Sequence, residues 1–122
     1  MYPMPMNELI DRFVIALVRL HNGTPEAVPD TIKKIISFAP HIDAEKHHDN
    51  ILKLYEITKV LWRLEDDMSE HLQENNLHKI AATAHSIRYH NTARNAIKKA
   101  IAKDAGELSD TAKYYKTGVT NI

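Results

Sequence analysis

Cysteine is absent from this 122-residue chain, which removes disulfides, thiolate metal sites and cysteine nucleophiles at once and fits an intracellular protein. Glycine occurs three times and alternating β-branched runs are few, so little here supplies the turns and patterns of a sheet. No long apolar run exists. The longest, Phe13 to Val18, is bounded by Arg12 and Arg19 and falls far short of the roughly 20 residues that span a bilayer. Excess charge is lacking too: Lys plus Arg and Asp plus Glu are each 16, so no global field draws the chain to nucleic acid or a membrane surface. The opening Met-Tyr-Pro-Met-Pro-Met has no basic stretch, and Glu8 and Asp11 precede the apolar run, unlike a signal peptide. The expectation is a cytoplasmic protein with a single domain over 1–122, long enough to bury roughly two-thirds of its unfolded surface.

What is present is helical periodicity. Apolar residues recur every three or four positions almost throughout, which predicts an all-α fold, an antiparallel bundle of about four helices. Pro3 and Pro5 hold the first residues extended, and Asn7 can cap a first helix carrying Leu9, Ile10, Phe13, Val14, Leu17 and Leu20. Ile15, Ala16 and Val18 fill its other faces. A helix apolar nearly all round is covered on two sides, and a homodimer through this helix would supply the second cover. Thr24, Pro25 and Pro29 open a short second helix that Pro40 stops. Asp43 then caps a third helix to about Glu74, Asn75-Asn76 makes a turn, and a fourth helix follows from Leu77 to about Lys103, with the stripe Ile80, Ala84, Ile87, Asn91, Arg94, Ile97 and Ile101. Gly106 breaks the chain. Ser109 can cap a last short helix through Tyr115, and residues 106–122 read as a loose or partner-docking tail.

The two long helices carry opposite charge. Residues 43–74 hold nine acids and four bases, whereas 77–103 hold six bases and no acid. A two-residue turn makes them antiparallel and sets Leu61 opposite Asn91 and Thr58 opposite Arg94. Because helical side chains lean towards their own N-terminus, the heads of Glu65 and Arg94 are expected to converge, with Asn91 taking spare hydrogen bonds. Such a contact reads as a pair that fixes register. With the Trp62 indole beside it, it reads alternatively as a site for a small polar ligand.

Leu61-Trp62-Arg63-Leu64-Glu65-Asp66, followed by Ile87, Asn91, Arg94, Asn95 and Ile101, resembles an uncharacterised family of small helical proteins from bacteria and marine tailed phages, whose pattern is L-W-x-L-E-D and then I-(x)3-N-(x)2-R-N. Met6-Asn7-Glu8-Leu9-Ile10-Asp11-Arg12 is also similar to the Gly-Glu-Leu-Ile-Asp-Lys opening of some members, with Asn7 in place of the glycine. The resemblance covers about a quarter of the chain, and Ala102 stands where many members carry an aspartate. It implies an antiparallel helical hairpin and a role for Trp62, Glu65, Asp66, Asn91, Arg94 and Asn95. No activity is established for the family.

Other chemistries fit less well. A di-iron bundle needs Glu-x-x-His twice and further glutamates from facing helices; Glu45-Lys46-His47-His48 offers it once, and the fourth helix has no carboxylate. His41 with Glu45, and Asp67 with His71, are two-ligand fragments that read as solvated surface. A metal-dependent nucleotide pyrophosphohydrolase would hold Mg²⁺ with carboxylates from two helices and grip phosphates with Lys or Arg. Glu65, Asp66 and Glu70 could begin that cluster, and only Glu8 and Asp11 remain to complete it. The spacing of Arg88 and His90, or of Arg63 and His71, does not fit the helical ribonucleases. Nucleic-acid binding through Arg88, Arg94, Lys98, Lys99 and Lys103 meets the objection of zero net charge and of no aromatic interleaving beyond Tyr89. The sequence therefore reads as a non-enzymatic helical binding or scaffolding protein, a homodimer with room for a protein partner and no resident cofactor or metal. The alternative is a Mg²⁺-dependent pyrophosphohydrolase-like or phosphate-ligand-binding protein.

Overall fold

The computed structural model describes residues 4–107. Four helices form: α1 (Met6–Asn22), α2 (Val28–Phe38), α3 (His48–Gln73) and α4 (Leu77–Asp104), with 3-10 turns at Pro25–Ala27 and Ala39–His41 flanking α2. No strand occurs among the described residues. The all-α bundle on a long hairpin is as the periodicity predicts. The proposed short helix from Ser109 and the tail beyond it lie outside the described residues, as does Pro3.

The hinge of the hairpin is local chemistry. Asn75 takes a positive φ of 55°, a conformation that Asn tolerates better than most residues. The Asn75 amide then donates to the Leu72 carbonyl at 3.2 Å and the Asn76 amide to the His71 carbonyl at 3.1 Å, which satisfies the end of α3 in a Schellman arrangement. Asn76 immediately caps α4, its Oδ1 accepting from the Lys79 amide at 3.2 Å. Two residues thus finish one helix and begin the next.

The far end of α4 closes the fold. Gly106 has a φ of 76°, and the Glu107 amide donates to the Ala102 carbonyl at 2.7 Å, turning Glu107 onto the start of α1. There the Met6 amide donates to both Glu107 carboxylate oxygens, at 2.9 and 2.8 Å, an anion placed at the positive end of a helix. This corrects the expected cap. Asn7 lies inside α1 and is buried, with its Oδ1 accepting from the Glu8 amide, because Glu107 already serves the first amide. Asp43 likewise caps a turn through the Lys46 amide at 3.1 Å, and the helix proper starts five residues later at His48.

α1 is the central helix. It packs on α2 on one side and on α3 and α4 on the other, so Leu9, Ile10, Val14, Ala16 and Val18 are all buried within one chain. Its second cover is α2, and a dimer partner is not needed to explain its composition. The core consists of Ile10, Val14, Leu54 and Ile101, flanked by Phe13, Ile51, Tyr55 and Ile97 among others. It sits where α1 crosses the open end of the hairpin.

The core does not continue towards the hinge. Between Lys59 and Ala100, Thr83 is the one buried residue. Leu61, Leu64, Met68, Ile80 and Ile87 line the α3–α4 seam half-buried, since two helices alone leave part of a shared seam wet. Local stability should fall along the hairpin. Leu54→Ala is expected to cost about 2–5 kcal/mol in urea unfolding, whereas Met68→Ala should cost about 1 kcal/mol. Hydrogen exchange should be slowest around Leu54 and Ile97 and fastest for amides near the hinge, and uniform protection along the hairpin would contradict this gradient.

Candidate functional site

Arg94 projects from α4 towards α1, where its Nη2 donates to Asp11 Oδ1 at 2.6 Å and Oδ2 at 2.5 Å. One turn further along α4, Lys98 Nζ lies 2.6 Å from Glu8 Oε1 and 3.5 Å from Asp11 Oδ2. Glu8 and Asp11 are three apart on α1, while Arg94 and Lys98 are four apart on the antiparallel α4, so both pairs form at one relative position of the helices. The Asp11 side chain is 6% exposed and that of Arg94 22%. Two acids and two bases therefore balance; Glu8, 40% exposed, keeps contact with water, while Asp11 is dry and would be costly as a lone charge.

The expected Glu65–Arg94 contact is not made. Glu65 is exposed on α3, and Arg94 turns to the carboxylate that α1 brings into the core. Fixed cations of α4 near the core need desolvated counter-charges, and Asp11 supplies one that the sequence distance of 83 residues hides. Asn91 and Asn95 are also exposed and add no hydrogen bond to Arg94 among the described residues. The inward stripe of α4 runs through Thr83 and His90 in place of Ala84 and Asn91. His90 fits this half-buried position because its Nδ1 donates to the Ser86 carbonyl at 2.8 Å.

Trp62 and Asp66 do share a feature. They line a cleft of about 420 Å³ with Glu56, Lys59, Val60 and Arg63 of α3 and Asn22 at the end of α1. An indole, two cations, two carboxylates and an amide meet there, of mixed charge. The six residues singled out from sequence thus fall into three groups: Arg94 in the buried ion pairs, Trp62 and Asp66 at the cleft, and Glu65, Asn91 and Asn95 on the surface. Glu8, Asp11 and Lys98 are the members of the ion-pair cluster that local pattern did not single out as a set with Arg94. Their matched i, i+3 and i, i+4 spacings were the available signal.

The histidines divide as well. His47 is 2% exposed at the start of α3, with Nδ1 making no hydrogen bond among the described residues, and His71 and Asp67, read as solvated surface, are half-buried where α3 packs on α4. His48 is exposed beside Asp49 at 3.3 Å. Among the described residues no three His, Asp or Glu side chains gather closely enough to hold a metal ion, and no helix is long and apolar enough to cross a membrane.

The surface nearest the hinge has its own character. Glu65, Asp66, Asp67, Glu70 and Glu74 on α3, and Lys79 and Arg88 on α4, enter no ion pair among the described residues. Leu72 and Leu77 are 59% and 74% exposed beside them. No protein-family model matches the chain, and it matches neither a curated protein nor a solved structure.

Arg94→Ala should cost about 3 kcal/mol, because it leaves the buried Asp11 carboxylate with only the longer Lys98 contact at 3.5 Å. Glu65→Gln should stay within about 0.5 kcal/mol of the parent. Combining Arg94→Met with Asp11→Leu should recover most of the loss in denaturant unfolding; a large effect of Glu65→Gln with a small one of Arg94→Ala would reverse the assignment.

Proposed function

We propose that this is a non-enzymatic helical binding or scaffolding protein whose working surface is the outer half of the α3–α4 hairpin. The observation that carries the reading is the absence of any buried apolar side chain between Lys59 and Ala100, in two helices that nevertheless remain continuous to the hinge. Large exposed side chains such as Leu72, Leu77 and Tyr89 accompany a half-covered seam, the composition expected of a surface completed by a partner. The charges there are free to meet a partner. Glu8, Asp11 and Arg94 are engaged with one another or with Lys98, which weighs against the pyrophosphohydrolase alternative, since that alternative enlists the same side chains for metal and phosphate. The same reading takes the protein to be cytoplasmic. It also takes the L-W-x-L-E-D and N-x-x-R-N segments as marks of the bacterial and phage family they resemble, in which case the motif contributes helix surface and the Arg94 ion pair.

Photo-crosslinking in producing cells tests this. A photoreactive residue at Leu72 or Leu77 should give protein-sized adducts, and one at Ile36 on α2 or Leu52 on the early part of α3 should give few. Equal labelling at all four positions would remove the arm as the working surface. Thermal unfolding with Mg²⁺, nucleotides, phosphosugars and short oligonucleotides should leave the midpoint unchanged, whereas a rise on the order of 10 °C with one class would favour a ligand site.

A further inference from the structure

The ion pairs between α1 and α4 also fix which faces of the two helices border one another. With each residue turning by about 100°, Glu8, Arg12, Ile15 and Arg19 fall within an arc of about 60° on α1, and Arg88, Asn91, Asn95, Lys98 and Lys99 within about 100° on α4. The Glu8–Lys98 contact at 2.6 Å joins these two arcs. Asp11 and Arg94 lie beyond them on the side towards α3, where Val14 and Ile97 enter the core. The antiparallel pairing sets Arg12 level with the stretch from Asn91 to Asn95, and Arg19 near the level of Arg88. A groove therefore runs between α1 and α4 on the side away from α3, with Arg12 and Arg19 on one wall and Arg88, Asn91 and Asn95 on the other. Ile15, half-buried, lies in its floor, because in rotation it falls between Asp11 and Glu8, which both reach α4. The charge of this groove is one-sided. Glu8 is the one acid on either arc and is held by Lys98, whereas Arg12, Arg19 and Arg88 enter no ion pair among the described residues. Arg12, Arg88, Asn91 and Asn95 are exposed and Arg19 half-buried.

We propose that this groove receives an acidic amphipathic helix of a partner protein. It is a second surface, apart from the hairpin arm, and does not depend on the reading of the arm. Guanidinium groups match carboxylates in a planar, two-toothed contact that lysine does not make, and the three unpaired cations across the groove are all arginine. Their spacing suits a helix. Arg12 and Arg19 are seven residues apart, as are Arg88 and Asn95, so each wall repeats about every 10 Å, two turns of a helix laid along it. A partner helix with acids seven apart on each flank meets both walls at once, and an apolar stripe between its acids lies over Ile15. The Asn91 and Asn95 amides take its remaining polar groups. Nucleic acid fits less well, since three arginines and Lys99 neutralise few phosphates, the chain has no net charge, and an apolar floor contributes nothing to phosphate binding. An anionic membrane also fits less well, because its apolar interior takes side chains that protrude, and Ile15 is recessed between two charged walls. Association through these pairs weakens with salt.

Fluorescence anisotropy with a synthetic probe tests this on the purified full chain. The probe is a dye-labelled helical peptide of about 20 residues, long enough to run the length of the groove, with a leucine stripe flanked on both sides by glutamates. Its counterpart carries glutamine in place of every glutamate. The acidic peptide should bind saturably and more weakly as salt rises, and the glutamine peptide should not bind. Arg12→Gln with Arg19→Gln should weaken the acidic peptide by about tenfold, as should Arg88→Gln. Lys79→Gln, which removes a base of α4 outside the groove, should leave binding unchanged. None of these side chains makes an ion pair among the described residues, so the thermal midpoint of each variant should match the parent and separate lost binding from lost fold. No binding of the acidic peptide, equal binding of the glutamine peptide, or indifference to the arginine substitutions would overturn the proposal. Displacement of the peptide by duplex DNA or by vesicles containing phosphatidylserine, lost in the same arginine variants, would assign the groove to that polyanion and overturn the helix. Sedimentation equilibrium of the parent adds one more outcome: self-association abolished by Arg12→Gln with Arg19→Gln would make a second copy the occupant, and the proposal would fail.

Discussion

The buried contact between Asp11 and Arg94 determines how the rest of the molecule fits together. α1 is apolar on nearly every face, so packing alone would let it rotate or slide on the hairpin with modest loss. One buried carboxylate in its first half changes that. A shift of one residue turns Asp11 through roughly 100°, away from Arg94 and into apolar surroundings where a bare carboxylate is unaffordable. Glu8 and Lys98 repeat the constraint one turn away, and the Met6 amide on Glu107 adds a third tie at the helix start. These three contacts, all between the beginning and the end of the described chain, hold α1 in one rotation and at one height over the core.

From that position follow the extent of the core and the character of the arm. With Met6 tied beside the end of α4, a helix of 17 residues reaches roughly 25 Å, and its last residue Asn22 arrives beside Trp62 and Asp66 at the cleft. α3 and α4 are longer. The remaining turns of both helices have only each other for cover, which is why the same apolar stripe is buried at Leu54 and Ile101 and half-exposed at Leu64 and Ile87. No change of local sequence pattern marks the transition, because the difference is the length of a third helix.

How much of this could be read in the sequence depends on the distance over which each feature is decided. The hairpin was legible, since periodicity, the Asn75-Asn76 hinge and the segregated charge are all local. Both long helices fall within a few residues of the expected limits, apart from the start of α3, where a turn precedes the helix. The phase of α4 was not legible, because Ala84 and Asn91 continue an i, i+3, i+4 pattern as well as Thr83 and His90 do. The partner of Arg94 was hidden for a different reason. A hairpin offers the acids of the neighbouring helix, and the spacing pointed to Glu65, but Glu65 lies about two turns nearer the hinge than Arg94, and the choice is made by desolvation, which depends on where α1 lies. The all-round apolar character of α1 was read correctly as double cover; that α2 supplies the second side is again a tertiary fact.

The arm also has to remain helical without a core, and its composition accounts for that. Ala81, Ala82 and Ala84 are exposed on α4, where they bury little but carry the most favourable helix propensity. The hinge closes the end of α3 and the start of α4 with backbone and Asn76 side-chain hydrogen bonds, so neither helix frays from an unsatisfied terminus. Helix continuity is thereby supplied by propensity and capping, while burial is left incomplete. A segment built this way can keep its shape in isolation and still gain from a partner, because the apolar surface that would normally stabilise the fold remains available for association. The ion pairs and core at one end make the fold independent of that association. Under the docking role proposed above, occupying the arm would leave α1 in place, because the Asp11–Arg94 tie holds it at the other end of the hairpin.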